Sequence, residues 1–150
     1  MLLKKPPYSI CNLLLIIFLT LQSCEKKKLT IPEQKQNLAK INRLIALGHK
    51  YFEESKYDSS YYYFNKAKHA ADIKKDTSRI IHSLGWMALI QQNQADYSGS
   101  ETTAIEAFPF LKNSKKYPNG TWTIYNVLGI NSWKTFDYET ALYYYNKASI

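Results

Sequence analysis

Three histidines, two cysteines and a scatter of carboxylates are the residues of this 150-residue chain that could do chemistry. His49, His69 and His82 share no short helical spacing, and no His-Glu-x-x-His run or Cys/His cluster occurs, so no metal site is expected. No GxGxxG or GxxxxGK[ST] loop is present to cradle a phosphate. Glu53 and Glu54 pair two carboxylates on a helix face that reads as solvent-exposed. Serines and aspartates accompany the histidines, but no nucleophile-elbow spacing frames them. These residues point to a chain that is not an enzyme and carries no cofactor.

The other chemistry on offer is covalent modification. Lys4 and Lys5 precede an apolar run over 10–21, broken by Asn12 and Thr20, and Leu21-Gln22-Ser23-Cys24 follows. A run of that length suits the core of a signal peptide better than a membrane span, which needs about 20 residues. Leu-x-Ser-Cys resembles the bacterial lipobox, although Gln22 is tolerated rather than preferred there. The resemblance implies cleavage before Cys24 and lipidation of that cysteine. Cys11 would leave with the leader, so no disulfide framework remains. Residues 1–23 are therefore read as a lipoprotein signal peptide and 24–32 as a tether. Lys26, Lys27 and Lys28 in that tether can also touch anionic lipid.

The formal charge is +8, and losing Lys4 and Lys5 leaves +6. The remaining charge is dispersed apart from the tether lysines and reads as solvated helix faces. No basic stripe or reader motif supports nucleic-acid binding.

What must position everything else is a repeat. Leu44-x-x-Leu47-Gly48-x-x-Tyr51, Lys56-Tyr57-Asp58 and Tyr62-Tyr63-Phe64-Asn65-Lys66-Ala67 return 81 residues later. The later copy is Tyr125-x-x-Leu128-Gly129, Phe136-Asp137-Tyr138 and Tyr143-Tyr144-Tyr145-Asn146-Lys147-Ala148. A weaker middle copy reads Ile81-x-x-Leu84-Gly85-x-x-Ala88, Asp96-Tyr97 and Ser100-x-x-x-Ala104-x-x-Ala107. Self-similarity at a period of a few tens of residues marks a solenoid whose units cannot bury their apolar faces alone. These residues resemble the tetratricopeptide repeat (TPR). The resemblance implies an all-α, TPR-like solenoid of helical hairpins over 33–150, with about three repeats and six helices.

The expected helices are 33–55, 57–73, 78–92, 97–114, 121–135 and one starting at Tyr138. Thr30 with Glu33 can cap the first, one of Asp76, Thr77 or Ser78 the third, Asp96 the fourth and Asp137 the sixth. Pro109 should kink or shorten the fourth. The stretch 91–95 reads as a turn about three residues longer than its counterparts, and Pro118-Asn119-Gly120 reads as a loop. The repeat spacings, Gly48 to Gly85 and Gly85 to Gly129, suggest enlarged connections between units. Gly48, Gly85 and Gly129 each cost about 1 kcal/mol inside a helix. Close approach of the second helix of each pair would explain all three.

In that family the first helix of each pair lines a concave groove. Carried across, the face comprises Asn42, Ile45, His49 and Phe52, then Arg79, His82, Trp86 and Leu89, then Thr123, Asn126, Ile130, Trp133 and Lys134. Members that clamp a terminal carboxylate use Lys and Asn at set positions. Ile45 and His49 stand there instead, which disfavours a chaperone-tail ligand. The reading is a non-catalytic scaffold for a protein or peptide, lipid-anchored in the cell envelope and facing the periplasm or cell exterior. The second reading is the extracytoplasmic sensor portion of a TPR-containing histidine kinase or helix-turn-helix regulator. A glycan-binding lipoprotein is a third class, without a supporting motif. No polar capping helix follows the last repeat, so the sequence reads as the front of a longer chain, or as one that self-associates through its C-terminal edge.

The anchor is directly testable. Cys24→Ala should move the protein from the membrane fraction to a soluble or unprocessed form. Recovery of mature Cys24 without acyl mass would refute the anchor.

Overall fold

The computed structural model describes residues 31–116 and 118–149, and the side chains of these outside 113–118. Cys11, Cys24, the tether lysines and the Thr30 cap lie outside the described residues. Six α-helices are present there: α1 (Ile31–Glu53), α2 (Tyr57–Ile73), α3 (Thr77–Asn93), α4 (Tyr97–Ile105), α5 (Pro118–Lys134) and α6 (Tyr138–Ala148). A 3₁₀ segment, Phe108–Lys116, follows α4. The described residues contain no strand. The helices pair as α1–α2, α3–α4 and α5–α6. Each second helix also packs on the next first helix, and α3 packs on α5.

Four of the five connections are the same turn. Ser55, Lys75, Ala95 and Phe136 all have positive φ, between 55° and 65°. Their N–H groups donate to Phe52, Asp72, Gln92 and Trp133, three residues back. The next N–H groups, of Lys56, Asp76, Asp96 and Asp137, reach back five residues to Tyr51, Ala71, Gln91 and Ser132. This is the Schellman arrangement, which satisfies the last carbonyls of a helix. The residue that closes one helix also caps the next. Asp76 accepts from Arg79 N, Asp96 from Gly99 N and Asp137 from Thr140 N, whereas Lys56 makes no side-chain cap.

This turn corrects the expected register. Residues 91–93 finish α3, so 91–95 is not a longer turn. The extra residues of the first repeat lie in helices α2 and α3, each 17 residues long, rather than in enlarged connections. Counted from the turns, Asp96 follows Lys56 by 40 residues and precedes Asp137 by 41. The equivalent of Gly48 and Gly129 is therefore Ala88, and not Gly85.

Packing explains the substitution. A Cβ on Gly48 would lie 2.8 Å from the Phe64 ring of α2, and one on Gly129 2.6 Å from the Tyr145 ring of α6. Second-helix approach thus accounts for those two glycines. In the middle hairpin the residue opposite is Ala104, so a methyl at Ala88 fits and both are fully buried. Gly85 answers to a different neighbour, Thr123 of α5, whose Cγ2 would lie 3.0 Å from an added Cβ. Buried hydroxyls fasten the same crossing. Ser60 Oγ donates to Gly48 O and Ser100 Oγ to Ala88 O, both at 2.8 Å.

The helix before the 3₁₀ segment stops at Ile105, well short of 114. Pro109 has no N–H to offer the Ile105 carbonyl, and its ring would clash with that carbonyl in a continuing helix. The 3₁₀ segment instead lays Leu111 into the core. By contrast α5 begins three residues early, at Pro118, because Pro suits a first helical turn. Gly120 is helical rather than looped, and a Cβ there would stand 2.7 Å from Ile81 Cγ2 of α3. The central core joins Ile80, Ile81 and Leu84 of α3 and Ile124, Val127 and Leu128 of α5 to Ala67, Ala71, Ala104 and Ala107. Small residues on second helices let large ones on first helices come close.

Gly48→Ala should destabilise the fold by about 1–2 kcal/mol, because overpacking against a fully buried Phe64 outweighs the gain in helix propensity. Gly129→Ala should cost less, since the half-buried Tyr145 can swing aside. Chemical denaturation of the two variants checks the order.

Candidate functional site

The residues proposed for the groove divide into two groups in space. At the junction of α1 and α3, four of them meet: His49, His82, Trp86 and Phe52. His49 Nε2 and His82 Nε2 are 3.1 Å apart. The His49 ring stands edge-on between Trp86, 4.4 Å away, and Phe64, 5.1 Å away. Trp86 stacks on Phe64 at 5.6 Å and takes Phe52 edge-on at 5.1 Å. Tyr57 closes the outer side against Phe52. Such aromatic contacts contribute about 0.5–1.5 kcal/mol each beyond area burial.

One helical turn away, Arg79 is held by two partners. Its Nε donates to Asn42 Oδ1 at 2.8 Å and its Nη1 to Asp76 Oδ2 at 2.7 Å. The guanidinium is thus committed to a tie between α1 and the N-cap of α3.

The corrected register explains this division. Arg79 and Trp86 correspond to Gly120 and Val127 of α5, and Gly120 packs on the preceding first helix while Val127 is buried. Arg79 and Trp86 accordingly face the first hairpin. The row equivalent to Ile45, His49 and Phe52 is Gly85, Leu89 and Gln92, then Asn126, Ile130 and Trp133. Thr123 is occupied by Gly85, and its hydroxyl donates to Asn119 O. Gln92 bridges to α5 through Asn131 Oδ1 and Val127 O. Leu89, Asn126 and Ile130 are half-buried. Trp133 is 51% exposed, and Lys134 Nζ lies 5.0 Å from its ring. Trp133 and Lys134 are not part of the histidine cluster.

Sequence reasoning did not include Phe64, Tyr57 and Asp76 in this assembly. Nothing in the repeat position of Phe64 signals a histidine neighbour. Asp76 was read only as a cap, a role compatible with gripping Arg79. Trp122, 53% exposed, was also not foreseen at the surface.

Burial pushes His82 down to about 4, with the neighbouring His49 and the Arg79 charge acting in the same direction. Burial also lowers His49, and the Glu53 carboxylate opposes this. At neutral pH both rings are uncharged, so one Nε2 donates and the other accepts.

Among the described residues no helix is long and apolar enough to cross a membrane, and no group of three or more His, Cys, Asp or Glu could hold a metal ion. No family model, curated protein or solved structure matches the chain.

The unfolded chain takes up a proton on His82 near pH 6.5, and the folded chain only near 4. The unfolded state therefore binds more protons between these values, so this contribution is complete above pH 6.5 and is lost as pH falls towards 4. After allowance for partial solvent screening it amounts to about 2 kcal/mol. Denaturation at pH 7.5 and 4.5 in metal-free buffer should show wild type losing about that much more than His82→Asn.

Proposed function

We propose that the chain is a non-catalytic, TPR-like scaffold that binds a protein or peptide, anchored through Cys24 outside the cytoplasm. The observation that carries this reading is the repetition of one hairpin. Three hairpins share the same Schellman turn and the same small-residue crossing, and the first helices of the second and third lie side by side. Stacked units of this kind present a row of side chains that no single unit could offer.

Along that row Leu89, Ile130 and Trp133 supply apolar and aromatic surface, while Asn126 supplies an amide group. An extended peptide has alternating apolar side chains and unpaired backbone N–H and C=O groups, and it fits such a lining. Arg79 is paired with Asn42 and Asp76, so recognition here rests on packing and amide contacts rather than on capture of a carboxylate. The sensor reading places the same row in a longer signalling chain and alters none of these contacts.

A photo-crosslinking residue at Trp133 or Asn126, expressed in the native membrane, should give a discrete adduct. The same probe at Tyr62, exposed on α2, should not. Equal labelling from all three positions, or none from any, would overturn the assignment of the groove.

A further inference from the structure

We propose that His49 and His82 form a two-histidine site for a late first-row divalent cation, with Cu²⁺ the tightest, and that the ion ties α1 to α3. The geometry is already close to that of a bound pair. Two imidazole nitrogens on one ion, each bonded at about 2.0–2.1 Å, lie about 2.9–3.4 Å apart as their angle opens from a right angle to the tetrahedral value. The two Nε2 atoms are 3.1 Å apart. The ring centroids are 5.2 Å apart and the planes cross at 69°. An ion can therefore enter by a small shift rather than by a change of rotamer.

The surroundings suit neutral-imidazole ligation. The two Nε2 atoms share one hydrogen-bonding proton, so one of them already offers a lone pair. On metal entry the donating ring moves that proton from Nε2 to Nδ1, which frees the second lone pair with no net proton release. Phe64 and Trp86 hold the His49 ring edge-on, so its orientation is set before the ion arrives. Glu53, one turn beyond His49, favours positive charge at the pair. Arg79, one turn before His82, opposes it, and its own charge is offset by Asp76.

No third His, Cys, Asp or Glu joins the pair among the described residues. Water must complete the coordination shell, so the site is open and of modest affinity. Imidazole ligands favour Cu²⁺ over Zn²⁺ in the general affinity order, whereas Mg²⁺ and Ca²⁺ require oxygen shells that are not offered here.

Thermal denaturation of the full chain with each metal alone tests the site. Cu²⁺ should raise the midpoint by about 4 °C, Zn²⁺ by less and Mg²⁺ not at all. Electron paramagnetic resonance of the Cu²⁺ form should show two coupled nitrogens. His82→Gln and His49→Gln should each abolish the shift and remove a nitrogen, while His69→Gln, at an exposed position, should change neither. If His82→Gln does not fold, His49→Gln decides alone. The proposal is overturned if wild type shows no shift. It is equally overturned if the shift survives in the histidine variants, because Cys11 and Cys24 remain in all of them.

Discussion

The distance at which two helices can cross inside one hairpin governs the rest of this structure. At Gly48, Ala88 and Gly129 the first helix presents almost no side chain, and the second helix lays a ring or a methyl directly on its backbone. Ser60 and Ser100 exploit that closeness, since a hydroxyl reaches the carbonyl of another helix only when the backbones nearly touch. Close crossing also sets the interface to the next hairpin. With α2 drawn in, Ala67 and Ala71 lie flush enough for Ile80, Ile81 and Leu84 of α3 to pack over them. That seating brings His82 up against His49. The half-buried histidine pair thus depends on that crossing.

The second helices were legible in the sequence because their signal is redundant. Aspartate N-caps on α4 and α6, a small residue at 60, 100 or 141 and an alanine at 67, 107 or 148 all agree on one alignment. The middle first helix was misread because one local match, Leu84-Gly85, outweighed the count from the turns. Glycine was taken as the mark of one contact, but alanine satisfies that contact when the opposing residue is small. The actual Gly85 serves a neighbour in the next hairpin. Pro109 and Pro118 were ambiguous in the same way, since proline ends one helix and begins another depending on which carbonyl lies four residues back. The histidine pair was not legible at all. Its members are 33 residues apart on helices that are not consecutive, and only the tertiary offset between α1 and α3 joins them.

That offset separates two stretches of surface that a single aligned row would have merged. The junction of the first two hairpins is crowded with rings and a committed arginine, and its interactions are internal. The later part of the row, from Leu89 to Trp133, is more open and has no comparable ring cluster. Inter-hairpin cohesion is therefore concentrated at the junction of the first two hairpins, and the row proposed for binding lies beyond it. The Trp86 cluster is separate from the proposed binding row, while a change at His49 or His82 alters the contact between the first hairpin and the second.

The shared turn has a kinetic consequence. Each of the four Schellman connections needs only residues close to it in sequence, and the side-chain hydrogen bond between Gln92 and Asn131 spans 39 residues. Local pairings of this kind close quickly, because little chain entropy is lost before a contact forms. Folding can therefore start at any pair of neighbouring hairpins and spread to the next, since each docks only on the units beside it.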